Sequence, residues 1–152
     1  MFPITYRSAQ RGDEYQITDC MNASATLMEL TDGTEAGIHL WNQICDPQEL
    51  QNRILSREKT LVAVRDGKVV GFIAFRRGNH LSLLFVRKEF AGQGIGSALF
   101  NQCAIGFDEI TVNASDGAVG FYQTIGFIQS GDRFFKTGVW ATPMIWTRQS
   151  AE

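Results

Sequence analysis

A glycine-rich segment in the second half of the chain has the composition of a phosphate-binding loop. It carries Gly92, Gly94 and Gly96 between an apolar stretch that ends at Val86 and an amphipathic stretch that follows. Glycines let backbone N–H groups converge on a ligand, and a helix N-terminus adds about half a positive charge to them. The spacing therefore predicts that residues 91–97 bind a phosphate or pyrophosphate group. The alternative is a tight turn whose glycines only allow the helix to pack closely.

Two familiar nucleotide-binding motifs do not fit this segment. No G-x-x-x-x-G-K-[ST] sequence occurs, which excludes a Walker loop. Gly92-x-Gly94-x-x-Ser97 approaches the dinucleotide fingerprint, and Asp116 lies beyond the next predicted strand. A dinucleotide loop turns immediately after its strand, however, whereas five residues separate Val86 from the first glycine here. The single β-α-β crossover expected in the chain also opposes a Rossmann fold.

The spacing of apolar residues predicts the elements that position this loop. Period-two and continuous apolar runs predict strands over Ile4–Ala9, Leu61–Val64, Val69–Phe75, Leu81–Val86, Glu109–Asn113, from Phe127 onward and over Val139–Trp146. Helical spacing predicts helices that start near Asp13, cover Ile38 to Cys45, start at Asp46, follow Gly94 and cover Asp116–Thr124. The order is β-ααα-βββ-α-β-α-ββ. It predicts an α/β fold with a mixed, largely antiparallel seven-stranded sheet flanked by helices and containing one β-α-β crossover.

The composition predicts one globular domain over residues 1–152. Hydrophobic residues make up 44% and charged residues 20%, and a chain of this length folds without a disulfide or a metal. The 14 Lys and Arg against 16 Asp and Glu leave a net charge of −2, so we expect no nucleic-acid partner and no membrane partner. Three widely spaced cysteines and the lack of a signal-peptide pattern predict reduced thiols, no metal site and a cytoplasmic location.

The glycine-rich segment resembles the acyl-CoA-binding loop of the GCN5-related N-acetyltransferases (GNAT), whose pattern is [QR]-x-x-G-x-[GA]. The resemblance extends along nearly the whole chain and is closest to a bacterial subgroup of unassigned substrate. Further segments similar to the strands and helices of the family are Arg7-x-Ala9-x-x-x-Asp13, Lys68–Ile73, His80–Val86 and Asn113–Phe127.

The resemblance implies an enzyme that transfers acetyl from acetyl-CoA to a primary amine, on a small molecule or a peptide, by direct attack on the thioester. It implies that Tyr122 is the catalytic acid that assists the departing CoA thiolate. A phenol of pKa about 10 facing a thiol of about 8.5 makes complete proton transfer uphill by roughly 2 kcal/mol, so a hydrogen bond is the main expected contribution. The alternative is a tyrosine that only packs beside Phe121.

The resemblance also implies the residues that bind acetyl-CoA, the one co-substrate expected. The loop offers backbone donors, and the strand ends beside it contact the pantetheine arm or the adenine side. These residues are Leu84, Phe85, Val86, Ala91, Gly92, Gln93, Gly94, Ile95, Gly96, Ser97, Asn113 and Ser115. Ser115 also has the residue type of an N-cap for the following helix.

Two departures from the family pattern bear on the mechanism. The first loop position is Ala91 where the family has Gln or Arg, which removes one side-chain contact but keeps the backbone donors. The strand before the loop carries no Asp or Glu, where several relatives place a general base. His80 is then the best protein candidate for deprotonating the amine through water, because imidazole titrates near neutrality. A hydrogen-bonded histidine at a strand end is the alternative, with water or solvent as the proton acceptor.

Other functions and partners stay open at this point. A catalytically degenerate acyl-CoA-binding module, acting as a sensor or partner subunit, is the main alternative to an enzyme. A toxin that acetylates aminoacyl-tRNA shares the family's fold, but the net charge of −2 opposes it. Glu29, Asp32 and Glu35 form either a solvated loop or a lid that attracts a cationic amine. The resemblance is also compatible with a homodimer.

Overall fold

The sheet that organises the molecule has helices on both faces. The computed structural model describes residues 3–24, 34–136 and 138–148, and this part contains an eight-stranded sheet of order β1-β2-β3-β4-β5-β8-β6, with β7 paired to β8. The strands are β1 (Thr5–Ser8), β2 (Thr60–Arg65), β3 (Lys68–Arg76), β4 (His80–Val86), β5 (Glu109–Ser115), β6 (Ile128–Gln129), β7 (Phe134–Lys136) and β8 (Val139–Thr147). The helices are α1 (Glu14–Asn22), α2 (Glu35–Ile44), α3 (Pro47–Leu55), α4 (Ile95–Ala104) and α5 (Val119–Thr124).

The pairing of β4 with β5 differs from every other pairing in the described part of the sheet. It is parallel, because α4 connects the two strands, and it consists of His80↔Thr111 and Leu81↔Val112 alone. The neighbouring pairs are antiparallel and longer: β5 pairs with β8 from Glu109 to Ser115. Beyond Leu81 and Val112 the two strands therefore separate towards their carboxyl ends.

A β-bulge in β4 lies where the two strands begin to separate. Phe75 of β3 pairs with Leu81, but Ala74 pairs with Leu83, so Ser82 has no partner on β3. A bulge of one residue changes the face to which the following side chains point. Leu81 accordingly packs in the core under α4, whereas Leu83 packs in the opposite core under α1 and α2.

Two hydrophobic cores cover the two faces of the sheet. One lies under α4 and α5 and includes Leu99, Phe100 and Tyr122. The other lies under α1, α2 and α3 and includes Trp41, whose indole N–H donates to the Asn22 side chain at 2.8 Å. The residues of β3 between its two ends are buried throughout, as expected of a central strand covered on both faces.

The α/β fold with a largely antiparallel sheet and one crossover is confirmed, with three local differences. The short strand β7 was not predicted, so the sheet has one strand more than expected. The predicted helix over Asp116–Thr124 divides into a 3₁₀ turn and α5. Ile38 is 46% exposed although its spacing placed it on the buried stripe of α2.

All three cysteines are buried free thiols. None of the helices described here has both the length and the apolar composition needed to cross a membrane.

We predict that Gly71→Val destabilises the fold although valine favours strands. A Cβ at Gly71 would lie 2.9 Å from Ile95 Cγ2 and 3.1 Å from Leu99 Cδ1, so α4 would have to move away from β3. Overpacking of this kind costs about 1–3 kcal/mol of unfolding free energy, measurable by urea denaturation. Lys68→Val, at the exposed start of the same strand, is the matched control. Equal unfolding free energies for the two variants would show that the close approach of α4 to Gly71 does not require glycine.

Candidate active site

The separation of β4 and β5 leaves a cleft of about 290 Å³ between the two strands. Its walls come from residues 82–85 of β4 and 112–115 of β5. Beyond Leu81, the edge of β4 that faces this cleft pairs with no strand in the described chain. Backbone N–H and C=O groups on such an edge require hydrogen-bond partners, so the cleft offers an extended ligand a row of donors and acceptors.

The glycine-rich loop lies beyond the carboxyl end of β4 and leads into α4. Gly92 and Gly94 have positive φ angles of +79° and +80°, and Gly94 is the N-cap of α4. A Cβ at either position would meet no atom within 4 Å, so the space beside both glycines is open. Their backbone conformation, and not packing, requires glycine here.

The N-terminus of α4 has backbone donors without helical partners. The first helical hydrogen bond runs from the Ala98 N–H to the Gly94 carbonyl, at 2.9 Å. The N–H groups of Ile95, Gly96 and Ser97 precede it and point out of the helix end. Gly96 has a packing role as well, because a Cβ there would lie 3.2 Å from the Phe121 ring. The loop thus has the open backbone donors that an anion site requires. Of its three glycines, only Gly96 is needed for close packing of the helix.

Tyr122 lies on α5 and lines the cleft. Its ring packs against Phe121 and Phe127, with centroids 5.3 and 5.2 Å away, and the residue is 5% exposed. No described residue forms a hydrogen bond with the Tyr122 hydroxyl. Because every fully buried side-chain N or O atom of the described residues does have a partner, the hydroxyl cannot be one of the fully buried atoms. Since Tyr122 lines the cleft, we infer that its hydroxyl faces the open space there. The Tyr122 ring can therefore pack beside Phe121 while its hydroxyl remains available to a ligand in the cleft.

Burial raises the pKa of Tyr122 well above its ordinary value of 10. The hydroxyl therefore stays protonated over the whole physiological range and can donate a hydrogen bond into the cleft. A higher pKa also makes it a weaker acid than the sequence-based value implied. Complete proton transfer to a thiolate becomes more unfavourable, which leaves hydrogen bonding as the chemistry that this side chain can supply.

The predicted contacts on the two strand ends divide into two groups. Leu84, Phe85, Asn113 and Ser115 line the cleft, whereas Val86 does not. The ring of Phe85 packs edge-on against Trp41 in the core under α1 and α2, so it faces away from the loop. Ser115 makes no capping hydrogen bond, and its side chain is not committed to the following 3₁₀ turn.

The structure does not bring His80 to the cleft. His80 pairs with Thr111 where the two strands are still joined, and its Nδ1 lies 2.8 Å from Thr111 Oγ1. His80 does not line the cleft, whose wall on β4 begins two residues later at Ser82. Burial, and then the charges of Arg76 and Arg77, lower the pKa of His80 below 6.5. This arrangement matches the alternative of a hydrogen-bonded histidine at a strand end.

The cleft opens on the sheet face covered by α2 and α3, through residues that the sequence did not single out. Arg53 of α3 and Arg76 at the end of β3 line it there, together with Leu40, Ile44 and Trp140. A larger groove of about 890 Å³ adjoins this mouth and shares Ile44 and both arginines with it. Residues so far apart in sequence give no local pattern, which is why they were missed.

The proposed acidic lid falls largely outside the described residues. Glu29 and Asp32 lie there, and Glu35 is an exposed residue in the first turn of α2 that lines neither the cleft nor the adjoining groove.

An exposed ion pair between Arg133 and Asp116, which we call the clamp, holds Trp140 beside the cleft. Arg133 donates two hydrogen bonds to the Asp116 carboxylate, at 3.0 and 2.6 Å, and its guanidinium lies 3.9 Å from the centre of the Trp140 ring. The hydrogen bonds from Arg133 lower the pKa of Asp116. The clamp connects the turn before α5 with the first residues of β8, two elements that border the cleft.

Known proteins share this sequence pattern and this fold. The family model of the acetyltransferase (GNAT) domain matches residues 29–148. The chain is 29% identical over 124 residues to the uncharacterized N-acetyltransferase YafP of Escherichia coli K12, which covers 82% of this chain and 81% of that protein. It is 34% identical over 88 residues to the peptidyl-lysine N-acetyltransferase YjaB of Salmonella typhimurium LT2, covering 55% of this chain and 60% of that protein.

Solved structures of acetyltransferases share the fold of this chain. A GCN5-related N-acetyltransferase from Rhodopseudomonas palustris superposes with a TM-score of 0.77 at 25% identity, over 94% of each chain. The PaiA N-acetyltransferase from Thermoplasma acidophilum, solved in complex with coenzyme A, superposes with a TM-score of 0.79 at 18% identity, over 95% of this chain and 99% of that one. Because the family model covers well over half of the residues, the chain belongs to the GCN5-related N-acetyltransferase family and is an acetyltransferase.

Proposed function

We propose that this acetyltransferase uses acetyl-CoA as its donor and acetylates a primary amine by direct attack on the thioester. The observation that carries the proposal is the cleft between β4 and β5. Ala118 and Tyr122 line it on the side of α5, and Leu40, Ile44 and Arg53 line it on the side of α2 and α3, where it adjoins the open groove. The glycine-rich loop does not line the cleft itself, but it leads into α4, which packs on the same face of the sheet as α5. Donor and acceptor would therefore enter from opposite faces and meet between the strands.

The donor would bind along elements that already offer unpaired backbone groups. The pyrophosphate would lie on the N–H groups at the start of α4, beside the open positions of Gly92 and Gly94. The pantetheine arm would follow the unpaired edge of β4 into the cleft, hydrogen-bonding as an added strand does. Ala91 adds no polar side-chain contact. The coenzyme A complex of the PaiA enzyme, which has the same fold, supports this donor class.

The chemistry would need one positioned hydrogen-bond donor. The neutral amine nitrogen attacks the carbonyl carbon and a C–N bond forms. The C–S bond then breaks and CoA leaves as a thiolate, while the nitrogen gives one proton to water or to that thiolate and becomes a neutral amide. Tyr122 would donate its hydroxyl hydrogen bond to the sulfur as negative charge develops there. Its raised pKa keeps the proton available at any pH at which the amine reacts.

The described lining of the cleft contains no carboxylate, and His80 lies outside it. We propose that no protein side chain removes the proton from the amine. The attacking amine would then arrive neutral or lose its proton to water.

The direct test is thiol release from acetyl-CoA in the presence of a panel of amines. An acetyltransferase releases CoA with at least one amine, whereas the alternative, a degenerate acyl-CoA-binding module, binds acetyl-CoA and releases none. Tyr122 at the cleft wall and the open glycine loop favour the enzyme. Binding of acetyl-CoA without release across amino acids, lysine peptides and polyamines would contradict the proposal.

We predict that Gly94→Val weakens acetyl-CoA binding by about tenfold or more. A side chain at this position would project into the open space where the pyrophosphate is proposed to lie. Isothermal titration calorimetry measures the affinity. Gly67→Val is a matched control, because Gly67 has a similar φ of +73° and open surroundings but lies in the β2–β3 turn. Unchanged affinity in a folded Gly94→Val protein would refute the assignment of the loop.

We predict that Tyr122→Phe lowers kcat by roughly 10²-fold while acetyl-CoA affinity barely changes, because the ring packing is retained. Since burial raises the pKa of Tyr122, the wild-type rate should show no loss from its ionisation below pH 10. Steady-state kinetics across pH measures both. Tyr15→Phe, at a tyrosine that is 67% exposed, is the control. Equal kcat in wild type and Tyr122→Phe would assign Tyr122 to packing alone.

We predict that kcat/KM climbs with pH towards the pKa of the amine itself. At pH 7 roughly one alkyl amine in 2,500 is neutral, so a reaction without a protein base follows that fraction. His80→Ala should change kcat/KM by less than about tenfold, because His80 lies outside the cleft. A plateau that begins below pH 6.5 and disappears in His80→Ala, but not in His39→Ala, would instead identify His80 as the base.

A further inference from the structure

The mouth of the cleft that faces α2 and α3 is cationic. Among the described residues that line the cleft, the charged ones are Arg53 and Arg76. Both also line the adjoining groove, so they stand where a molecule passes from that groove into the cleft. Leu40, Ile44 and Trp140 make the rest of this mouth largely apolar.

Neither arginine forms an ion pair with a carboxylate in the described structure, although the charges of Glu58 and Glu49 act on Arg53 from a longer distance. The ion pairs found there join Arg7 to Asp13, Arg133 to Asp116 and Arg148 to Asp108. Asp46, Glu49 and Glu58 line the outer groove, but none of them lies within 4 Å of either guanidinium.

Glu58 is already engaged elsewhere. Its carboxylate accepts hydrogen bonds from the backbone N–H groups of Arg77 and Gly78, at 3.0 and 3.3 Å, in the β3–β4 turn. The two arginines at the mouth therefore keep their hydrogen-bond donors available.

The surroundings of Arg53 make this arrangement unfavourable without an anion. Arg53 is half-buried, whereas Arg76 is exposed. Burial, followed by the charge of Arg76, lowers the pKa of Arg53 against the smaller opposing effects of Glu58 and Glu49. The charge of Arg76 also contributes to lowering the pKa of His80. Two like charges at one partly buried mouth repel each other, and a bound anion relieves both the repulsion and the loss of solvation.

We propose that Arg53 and Arg76 bind a carboxylate of the acceptor, so that the substrate is an amine that also carries a carboxylate. A guanidinium pairs with a carboxylate through two parallel hydrogen bonds, and two guanidiniums at one mouth fix the position of that group. A polyamine would bring further positive charge to the same place. This inference rests on the proposed function and specifies its substrate class.

The experiment compares acceptors that differ only in this charge. One arm uses free amino acids against their amides, and a second uses peptides with Glu or Gln beside the amine that is acetylated. Spermidine represents the polycationic class. Wild type, Arg53→Gln, Arg76→Gln and the control Arg57→Gln are assayed with each acceptor. Arg57 is an exposed arginine just after α3 that lines neither the cleft nor the groove.

We expect kcat/KM of the wild type to favour the carboxylate member of at least one pair by about tenfold or more. Arg53→Gln and Arg76→Gln should each reduce that preference by about tenfold, through KM, with little change in kcat or in acetyl-CoA affinity. Arg57→Gln should keep it. The pair that shows the preference identifies the source of the carboxylate as a free amino acid or an acidic peptide.

Two results would overturn the inference. In the first, the wild type acetylates spermidine, or the neutral acceptor of each pair, with the same kcat/KM as the carboxylate-bearing acceptor. In the second, the arginine variants lower kcat/KM equally for the neutral and the carboxylate-bearing acceptor of a pair. In either case acetyl transfer is observed and the proposed function stands.

If no amine in the panel is acetylated, the proposed function fails instead, and binding then decides the inference. CoA-saturated protein is titrated with the amino acids and their amides while the indole N–H resonance of Trp140 is followed by NMR. A shift caused by the carboxylate members alone, and lost in Arg53→Gln and Arg76→Gln, supports the carboxylate site. Equal shifts for acids and amides, or none, contradict it.

Discussion

The two-residue pairing between β4 and β5 is the constraint on which the rest of the active site depends. A longer parallel pairing would close the sheet and leave no cleft. Pairing on the outer sides, of β3 with β4 and of β5 with β8, holds each strand in place while the space between them stays open. The bulge at Ser82 lies where the separation begins and turns Leu83 towards the opposite core. The unpaired strand edge would be costly in a dry core, and here it borders a cleft that a ligand can enter.

The candidate chemical groups lie at or near the cleft because they follow these two strands in sequence. The chain leaves β4 and forms the glycine-rich loop, and it leaves β5 and forms the 3₁₀ turn and α5, which carries Tyr122. The Asp116–Arg133–Trp140 clamp then ties that turn to β8. On the other face, α3 and the end of β3 supply Arg53 and Arg76. The proposed donor site and the proposed acceptor site would thereby lie on opposite faces of the sheet and meet in the cleft.

Most of the fold follows from local sequence signals. Strand and helix periodicity act over short stretches of chain, and the structure agrees with the elements that they predict. The glycine spacing and the family pattern around Tyr122 are equally local, and the acetyl-CoA site that they indicate stays a prediction. The bulge at Ser82, the strand β7 and the pairing length of β4 depend on long-range register, which periodicity does not encode. His80 seemed suitable by residue type, but its register opposite Thr111 keeps it from the cleft. The mouth of the cleft beside α2 and α3 is assembled from separate elements and therefore left no local sequence pattern. The cytoplasmic location, the single domain over residues 1–152 and the homodimer stay predictions.

A crystal structure of the complex with acetyl-CoA would decide whether the thioester lies between β4 and β5, as we propose. We expect the pyrophosphate on the N–H groups of residues 95–97 and the sulfur between the two strands, within about 3.5 Å of the Tyr122 hydroxyl oxygen. Acetyl-CoA bound on another surface, or its sulfur outside the cleft and out of reach of Tyr122, would refute this mode of binding.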